Sequence, residues 1–198
     1  MSEPASEPPR TTIETTRLRL VASHEALAPA ALDYERRNRE HFARWSPPAP
    51  AGLYTIGHHE KTMADDAEAF VAHAAWRWWL TPLDEPGLIV GTVRFSQVSY
   101  GPFRNAMLGY AIDAAHEGRG LMREALAAAI DEVFSPRVNL HRVQANVRPE
   151  NLRSLALLER LGFEREGLAR EYLFIDGAWR DHVLTARRNP AFVRPAGW

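Results

Sequence analysis

The loop between an apolar strand and a long amphipathic helix carries the pattern best suited to chemistry. Gly118 and Gly120 stand just before the helix that is predicted to begin at Leu121. The N-terminus of a helix has unpaired N–H groups and a partial positive charge, so it favours an anionic group. Glycines let the backbone approach that group closely, because no Cβ stands in the way. The pattern predicts an anion cradle at residues 117–121, although two glycines alone are more often a tight turn.

The surrounding residues exclude two common nucleotide motifs. No Lys-Ser/Thr pair follows the glycines at the spacing of a P-loop. Arg123 occupies the third glycine position of a dinucleotide-binding fingerprint. Further along, Asn151 and Ser154 lie one turn apart on the same face of a predicted short helix. Asn151 stands at the start of that helix, where the ordinary role of an asparagine is to cap the N-terminus.

Composition limits the chemistry that these 198 residues can perform. There is no cysteine, which excludes thiol catalysis, an acyl-cysteine intermediate and thiolate metal sites. Lys and Arg number 24 against 25 Asp and Glu, a balance unlike that of a dedicated nucleic-acid binder. The segment His58-His59-Glu60 lacks the spacing of a zinc motif, so no metal is predicted. No apolar run approaches the roughly 18 residues of a membrane span, and the N-terminus lacks a signal-peptide core. We expect a cytoplasmic protein that contacts neither membrane nor nucleic acid.

Hydrophobic periodicity predicts one α/β domain with a mixed sheet. A proline-rich N-terminal tail at 1–12 is predicted to be disordered, the domain covers 13–190, and a C-terminal tail covers 191–198. Strands are predicted at 13–21, 78–80, 88–98, 106–112, 141–147, 170–175 and 180–187. Helices are predicted at 33–44, 62–75, 121–133 and 151–161.

Three blocks of the sequence resemble a known superfamily. Residues 113–126 resemble motif A of the GNAT N-acetyltransferases, Arg/Gln-x-x-Gly-x-Gly/Ala at the start of the main helix. Residues 151–163 are similar to the second cofactor-side helix of that superfamily and its Gly-Phe ending. Residues 172–185 narrow the resemblance to the RimJ/RimL branch, the ribosomal-protein N-terminal acetyltransferases. The resemblance implies the GNAT fold, a mixed, mostly antiparallel twisted sheet of about six to seven strands flanked by helices.

Two positions depart from the pattern of the superfamily. Ala115 occupies the Arg/Gln position of motif A, so one polar contact with the cofactor is missing or comes from the backbone. Leu158 occupies a position where many GNAT enzymes have a tyrosine that reprotonates the departing thiolate. That tyrosine mechanism is therefore not carried over to this chain.

The resemblance implies that acetyl-CoA is the co-substrate. Its pyrophosphate is expected on the backbone N–H groups of the 117–121 loop, with Arg119 able to add charge. Its pantetheine is expected to pair with the backbone of a strand that splays from its neighbour. The residues expected to bind the cofactor are Ile112, Ala114, Glu117, Gly118, Arg119, Gly120, Leu121, Asn151 and Ser154.

Catalysis by such an enzyme requires both an acid and a base. From the resemblance, Ser154 is expected to contact the CoA sulfur and to act as the acid. An α-amino acceptor has a pKa of about 8, so a base, or a water chain to one, must remove a proton before or during attack. Glu171 stands where RimL-like enzymes have a candidate base, and Asp113 and Glu150 are alternatives.

The implied activity is transfer of acetyl from acetyl-CoA to an amine by direct attack in a ternary complex. The favoured acceptor is the α-amino group of a protein N-terminus, specifically a ribosomal protein that begins with alanine. Two alternatives stay open: acetylation of a small-molecule amine such as an antibiotic or a polyamine, and a non-catalytic acyl-CoA-binding module. The expected partner is an N-terminal peptide, and the chain is expected to be a monomer or a homodimer.

Overall fold

One sheet organises the computed structural model, which describes residues 7–195 and 197, and this part of the chain contributes eight strands to it. The strands are β1 Thr12–Glu14, β2 Leu18–Ala22, β3 Trp76–Pro82, β4 Gly91–Ser99, β5 Asn105–Ile112, β6 Arg142–Val147, β7 Glu164–Ile175 and β8 Ala178–Arg188. The helices are α1 Ala28–Arg37, α2 Arg39–Ala43, α3 Ile56–Val71, α4 Leu121–Phe134 and α5 Leu152–Arg160, with short 3₁₀ turns at Glu25–Leu27 and Ala114–His116. These elements confirm the predicted α/β fold.

The strands lie in the order β1-β2-β3-β4-β5-β6-β8-β7. Each neighbouring pair is antiparallel except β5 and β6, which run parallel. This confirms the mixed, mostly antiparallel sheet, but eight strands replace the six to seven expected. The additional strand arises because the segment predicted as one strand at 13–21 is a hairpin of β1 and β2. Its turn is closed by Thr15, whose hydroxyl donates to the carbonyl of Leu18 at 3.0 Å.

Helices cover both faces of the sheet. The adjacent Trp78 and Trp79 of β3 point to opposite faces and belong to separate apolar clusters. The larger cluster receives the apolar stripe of α4, in which Leu126 and Ile130 are fully buried. The smaller cluster receives α1 together with Met63 of α3. Burial of these stripes holds α4 firmly against the strands that frame the predicted cradle.

Two predicted helices have different bounds in the structure. The helix predicted at 33–44 is interrupted at Asn38, which separates α1 from α2 because its buried side chain bonds to residues of another loop. The helix predicted at 62–75 begins earlier, at Ile56, and ends at Val71. Thr55 caps its N-terminus by accepting a hydrogen bond from the N–H of His58. None of the helices in the described part of the chain is long and apolar enough to cross a membrane.

The predicted tails lie only partly within the described residues. Residues 1–6, 196 and 198 lie outside them. Residues 7–12, which are predicted to be disordered, pack instead against the domain: the N–H of Arg10 donates to Glu132 of α4 at 2.8 Å, and its carbonyl accepts from the Trp78 indole at 3.0 Å. At the other end, Val193 exchanges two hydrogen bonds with the side chain of Asn139. The division into tails and domain stays a prediction.

The parallel strands β5 and β6 separate at one end of the sheet. They pair only where Asn105–Met107 faces Arg142–Gln144. Beyond this point β5 continues to Ile112 and β6 continues to Val147 without further pairing between them. A V-shaped gap therefore opens toward the carboxyl ends of both strands. The N-termini of α4 and α5 follow these ends, so the fold brings the two predicted cofactor segments to one place.

Candidate active site

The cradle loop has the geometry that an anion requires. Gly118 and Gly120 have φ values of +73° and +76°, which L-residues rarely adopt. The N–H groups of Gly118, Arg119 and Gly120 meet no acceptor among the residues that the structure describes. A Cβ built on Gly118 would have nothing within 4 Å. The loop therefore presents free N–H groups to open space at the N-terminus of α4, which suits a phosphate.

A side chain from the β1–β2 turn braces this loop from behind. Arg17 donates to the carbonyl of Arg119 at 2.9 Å and to Glu124 of α4 at 2.7 Å. Because the C=O and N–H groups of one peptide point in opposite directions, the N–H of Gly120 faces away from Arg17. Burial alone would raise the pKa of Glu124, but hydrogen bonds from Thr15 and Arg17 outweigh it and lower that pKa. The brace fixes which way the loop directs its N–H groups.

Of the other predicted cradle residues, Leu121 buries its side chain and contributes only its backbone at the start of α4. The Arg119 side chain is exposed, where it is free to add charge. Glu117 contacts one side chain from each of two helices. His41 of α2 lies 3.3 Å from one carboxylate oxygen, and Arg153 of α5 bonds the other. The Glu117 carboxylate thus links the loop to α2 and α5.

Asp113 is a structural anchor and not a base. Its carboxylate accepts hydrogen bonds from Arg37 at 2.5 Å, from the N–H of Ala115 at 2.8 Å and from Asn38 at 3.2 Å. Burial opposes its ionisation, but these hydrogen bonds outweigh burial and hold the pKa of Asp113 at about 2. A carboxylate with so low a pKa is a poor proton acceptor at pH 7. This alternative from the sequence is therefore not supported.

The backbone that was expected to meet pantetheine is only partly available. Asp113 donates its N–H to the carbonyl of Val90 beside β4, so the preceding N–H and C=O of Ile112 face the opposite side, into the gap. The N–H of Ala114 already donates to Asn38 Oδ1 at 3.0 Å. Ile112 thus offers both backbone groups to a ligand, whereas Ala114 offers at most its carbonyl.

The start of α5 brings Asn151 and Ser154 to the other side of the gap. Asn151 caps the helix, because its Oδ1 accepts from the N–H of Ser154 at 3.1 Å. Its Nδ2 makes no hydrogen bond within the described part of the chain and is available to a ligand. The hydroxyl of Ser154 lies 2.5 Å from the hydroxyl of Tyr110 on β5. This contact spans the gap from one side to the other.

Tyr110 is a site residue that the sequence analysis missed. Leu158, at the usual tyrosine position, is 1% exposed and packs in the core. A tyrosine hydroxyl nevertheless reaches the site, from β5 instead of α5. Burial raises the pKa of Tyr110 to about 12, so its hydroxyl stays protonated near neutral pH and can donate. The only signal in the sequence was its place on the apolar strand that leads into the cradle.

The two other candidate bases are both exposed. Glu171 is exposed on β7 with φ of +48°, in a bulge where its N–H donates to Asp181 at 2.9 Å. Glu150 is exposed beside Arg148, at 3.4 Å. Neither carboxylate contacts Ser154, so any proton would reach them through water. Within the described residues, no cluster of three or more His, Cys, Asp or Glu side chains could hold a metal ion.

Comparison with known proteins identifies the family. The acetyltransferase (GNAT) domain model matches residues 17–164. The ribosomal protein uS5-alanine N-acetyltransferase of Escherichia coli strain K12 is 38% identical over 185 residues, which are 93% of this chain and 94% of that protein. The crystal structure of ribosomal-protein-S5-alanine acetyltransferase from Vibrio fischeri superposes with a TM-score of 0.89 at 31% identity, covering 93% of this chain and 100% of that one.

A further structure concerns the cofactor. Mycobacterium smegmatis RimJ, in complex with CoA-disulfide, superposes with a TM-score of 0.85 at 27% identity and covers 96% of this chain and 93% of that one. The free N–H groups of the cradle and the open gap beside it fit such a cofactor. These findings favour an enzyme over the non-catalytic binding module. The chain belongs to the GNAT family and is an acetyl-CoA-dependent N-acetyltransferase of the RimJ/RimL type.

Proposed function

We propose that this chain transfers acetyl from acetyl-CoA to the α-amino group of a protein N-terminus, with an alanine-first ribosomal protein as the favoured acceptor. The observation that carries the proposal is the gap between β5 and β6, which has an anion cradle on one side and the Ser154 hydroxyl on the other. The similarity to alanine N-acetyltransferases over almost the whole chain supports the choice of acceptor. A ribosomal acceptor also accords with the predicted cytoplasmic location.

The proposed contacts with the co-substrate follow from the groups that the chain leaves free. The N–H groups of Gly118, Arg119 and Gly120 receive the pyrophosphate, and α4 adds the positive end of its dipole. The N–H and C=O of Ile112 pair with an amide of the pantetheine arm. Asn151 Nδ2 donates to the same arm while Oδ1 continues to cap α5. The thioester then lies between the strands, close to Ser154.

The chemical step needs one proton removed and one proton supplied. The amine nitrogen forms a bond to the thioester carbon, the carbon–sulfur bond breaks, and the sulfur leaves as a thiolate. Ser154 is the acid: its hydroxyl gives its proton to that sulfur and regains a proton from solvent water. The Tyr110 hydroxyl, which remains protonated, supports Ser154 by a hydrogen bond. Glu171 takes the proton from the amine through water at the rim of the gap. Glu150 is the second candidate for this role.

The acceptor must insert its first residue into the gap until its nitrogen reaches the thioester. A narrow passage at the reacting centre favours a small first side chain, since each additional buried group costs packing energy. The near-neutral net charge of −1 gives no reason to expect a strong preference for basic partners. Alanine is therefore expected first, with serine or threonine tolerated.

A peptide panel tests the proposal. A peptide with the N-terminal sequence of an alanine-first ribosomal protein is compared with the same peptide beginning with Phe or Glu, and with spermidine and aminoglycosides. We expect mass spectrometry to locate the acetyl group on the α-amine, with kcat/KM at least about tenfold higher for Ala than for Phe or Glu, a difference of roughly 1.4 kcal/mol. A small amine that outpaces every peptide would refute the N-terminal acceptor and leave only the acetyltransferase assignment.

A further inference from the structure

Asn146 has a buried polar atom without a partner at the edge of the gap. It lies on β6, two residues beyond Gln144, where the pairing with β5 ends. Its Nδ2 donates to the hydroxyl of Tyr172 at 2.9 Å. Its Oδ1 is buried and has no hydrogen-bond partner among the described residues. A buried acceptor without a partner is rare in folded proteins, so a ligand group is a natural candidate to satisfy it.

The neighbouring strands hold the Asn146 amide in place. The ring of Tyr172 on β7 packs on the ring of His182 on β8, with centroids 5.3 Å apart. His182 is itself 3% exposed, and its Nδ1 lies 3.1 Å from the carbonyl of Arg180. Nδ2 donates toward Tyr172, on the β8–β7 side of β6, and from this we infer that Oδ1 is turned toward β5 and the gap.

We propose that Asn146 Oδ1 accepts a hydrogen bond from the amine that is acetylated, and so orients the nitrogen lone pair toward the thioester. This inference rests on the proposed function, because it names the contact that the same site makes with its acceptor. An uncharged oxygen suits this role. A carboxylate at that place would stabilise the protonated amine and raise its pKa, whereas an amide carbonyl accepts an N–H without favouring the positive charge as strongly.

Two substitutions test the contact through different readouts. Asn146→Leu removes the acceptor, so we expect kcat/KM for the peptide to fall at least about tenfold while KM for acetyl-CoA stays constant. The melting temperature of Asn146→Leu should fall by no more than that of Asn105→Leu, the control variant described below. The reason is that the substitution removes a buried oxygen that has no partner. Asn146→Asp places a charge beside the bound amine, so we expect the acidic limb of kcat, which reports groups in the enzyme–substrate complex, to move up by about one pH unit or more.

Asn105 provides the matched control. It also has a buried Oδ1 without a partner among the described residues, and its Nδ2 donates to Gln144 at 3.1 Å. It lies where β5 and β6 still pair, at the closed end of the gap. Asn105→Leu should therefore leave kcat/KM for the peptide unchanged, whatever it does to the melting temperature.

The outcomes separate the inference from the proposed function. Wild-type kinetics for the amine in Asn146→Leu, or an acidic limb that does not rise in Asn146→Asp, would overturn the inference. A loss of acetyl-CoA affinity in Asn146→Leu as large as its loss of kcat/KM for the peptide would also overturn the inference, since it would show that Asn146 has a structural role. If the wild type acetylates only small amines, the proposed acceptor is wrong, and the same variants are measured with the best small amine, where the same changes are expected.

Discussion

Replacing Asp113 by asparagine tests whether the carboxylate anchors the segment that leads into the cradle. The side chain is 5% exposed and accepts three hydrogen bonds, one of them from the guanidinium of Arg37. These interactions bring its pKa from an ordinary value of 3.8 to about 2. Each pKa unit corresponds to about 1.4 kcal/mol, so ionised Asp113 contributes roughly 2 kcal/mol to the free energy of unfolding. Asp113→Asn should lower the melting temperature at pH 7 by about 4–8 °C.

The pH dependence gives the sharper test. The pKa of Asp113 is lower in the folded than in the unfolded chain, so its contribution is present above the unfolded value of about 4 and is lost as the pH falls toward 2. The free energies of unfolding of the wild type and Asp113→Asn, measured by urea denaturation, should differ most at pH 7. At pH 3 the difference should be about half as large. Asp65, an exposed carboxylate that pairs with Lys61 at 2.8 Å, provides the control, since Asp65→Asn should hardly change stability. A difference for Asp113→Asn that stays constant between pH 7 and pH 3 would refute the reasoning.

Three further variants test the site. Ser154→Ala should lower kcat more than it raises KM for acetyl-CoA, and wild-type kinetics would leave Ser154 with only its place in the first turn of α5. Glu171→Gln should lower kcat/KM at neutral pH and remove the part of the acidic limb that belongs to this carboxylate; an unchanged pH profile would exclude it as the base. Arg17→Ala removes the hydrogen bond that braces the Arg119 carbonyl. Steady-state kinetics should therefore show a severalfold higher KM for acetyl-CoA than in the wild type and an unchanged KM for the peptide.

Local patterns in the sequence predicted the parts of the fold that depend on local physics. The period of apolar residues placed α4 from Leu121 onward, and its helix ends at Phe134, one residue beyond the prediction. The spacing of Gly118 and Gly120 predicted the position of the cradle. Both glycines have a positive φ, which other residues rarely adopt. Asn151 was predicted as an N-cap and is one.

The misses depend on contacts between residues far apart in the chain. Asn38 interrupts a predicted helix because its side chain bonds Asp113 and Ala114, 75 and 76 residues later. In the sequence Asp113 is a candidate base. The structure shows that its carboxylate is held instead by hydrogen bonds from Arg37 and Asn38, which lie about 75 residues earlier in the chain. Tyr110 reaches Ser154 because β5 and β6 part, a feature of the sheet that has no signature in either strand. Such long-range partners decide the roles of single polar residues.

Calorimetric titration with acetyl-CoA tests the central claim, that free N–H groups of the 117–121 loop hold its pyrophosphate. Gly118→Asp and Gly118→Asn are compared with the wild type, since both side chains tolerate a positive φ and a Cβ at Gly118 meets no atom within 4 Å. The two variants have the same size and differ by one negative charge. We expect the dissociation constant to be at least about tenfold higher for Gly118→Asp than for Gly118→Asn, a difference of about 1.4 kcal/mol that shrinks as salt is added. Equal dissociation constants of Gly118→Asp and Gly118→Asn would contradict the account.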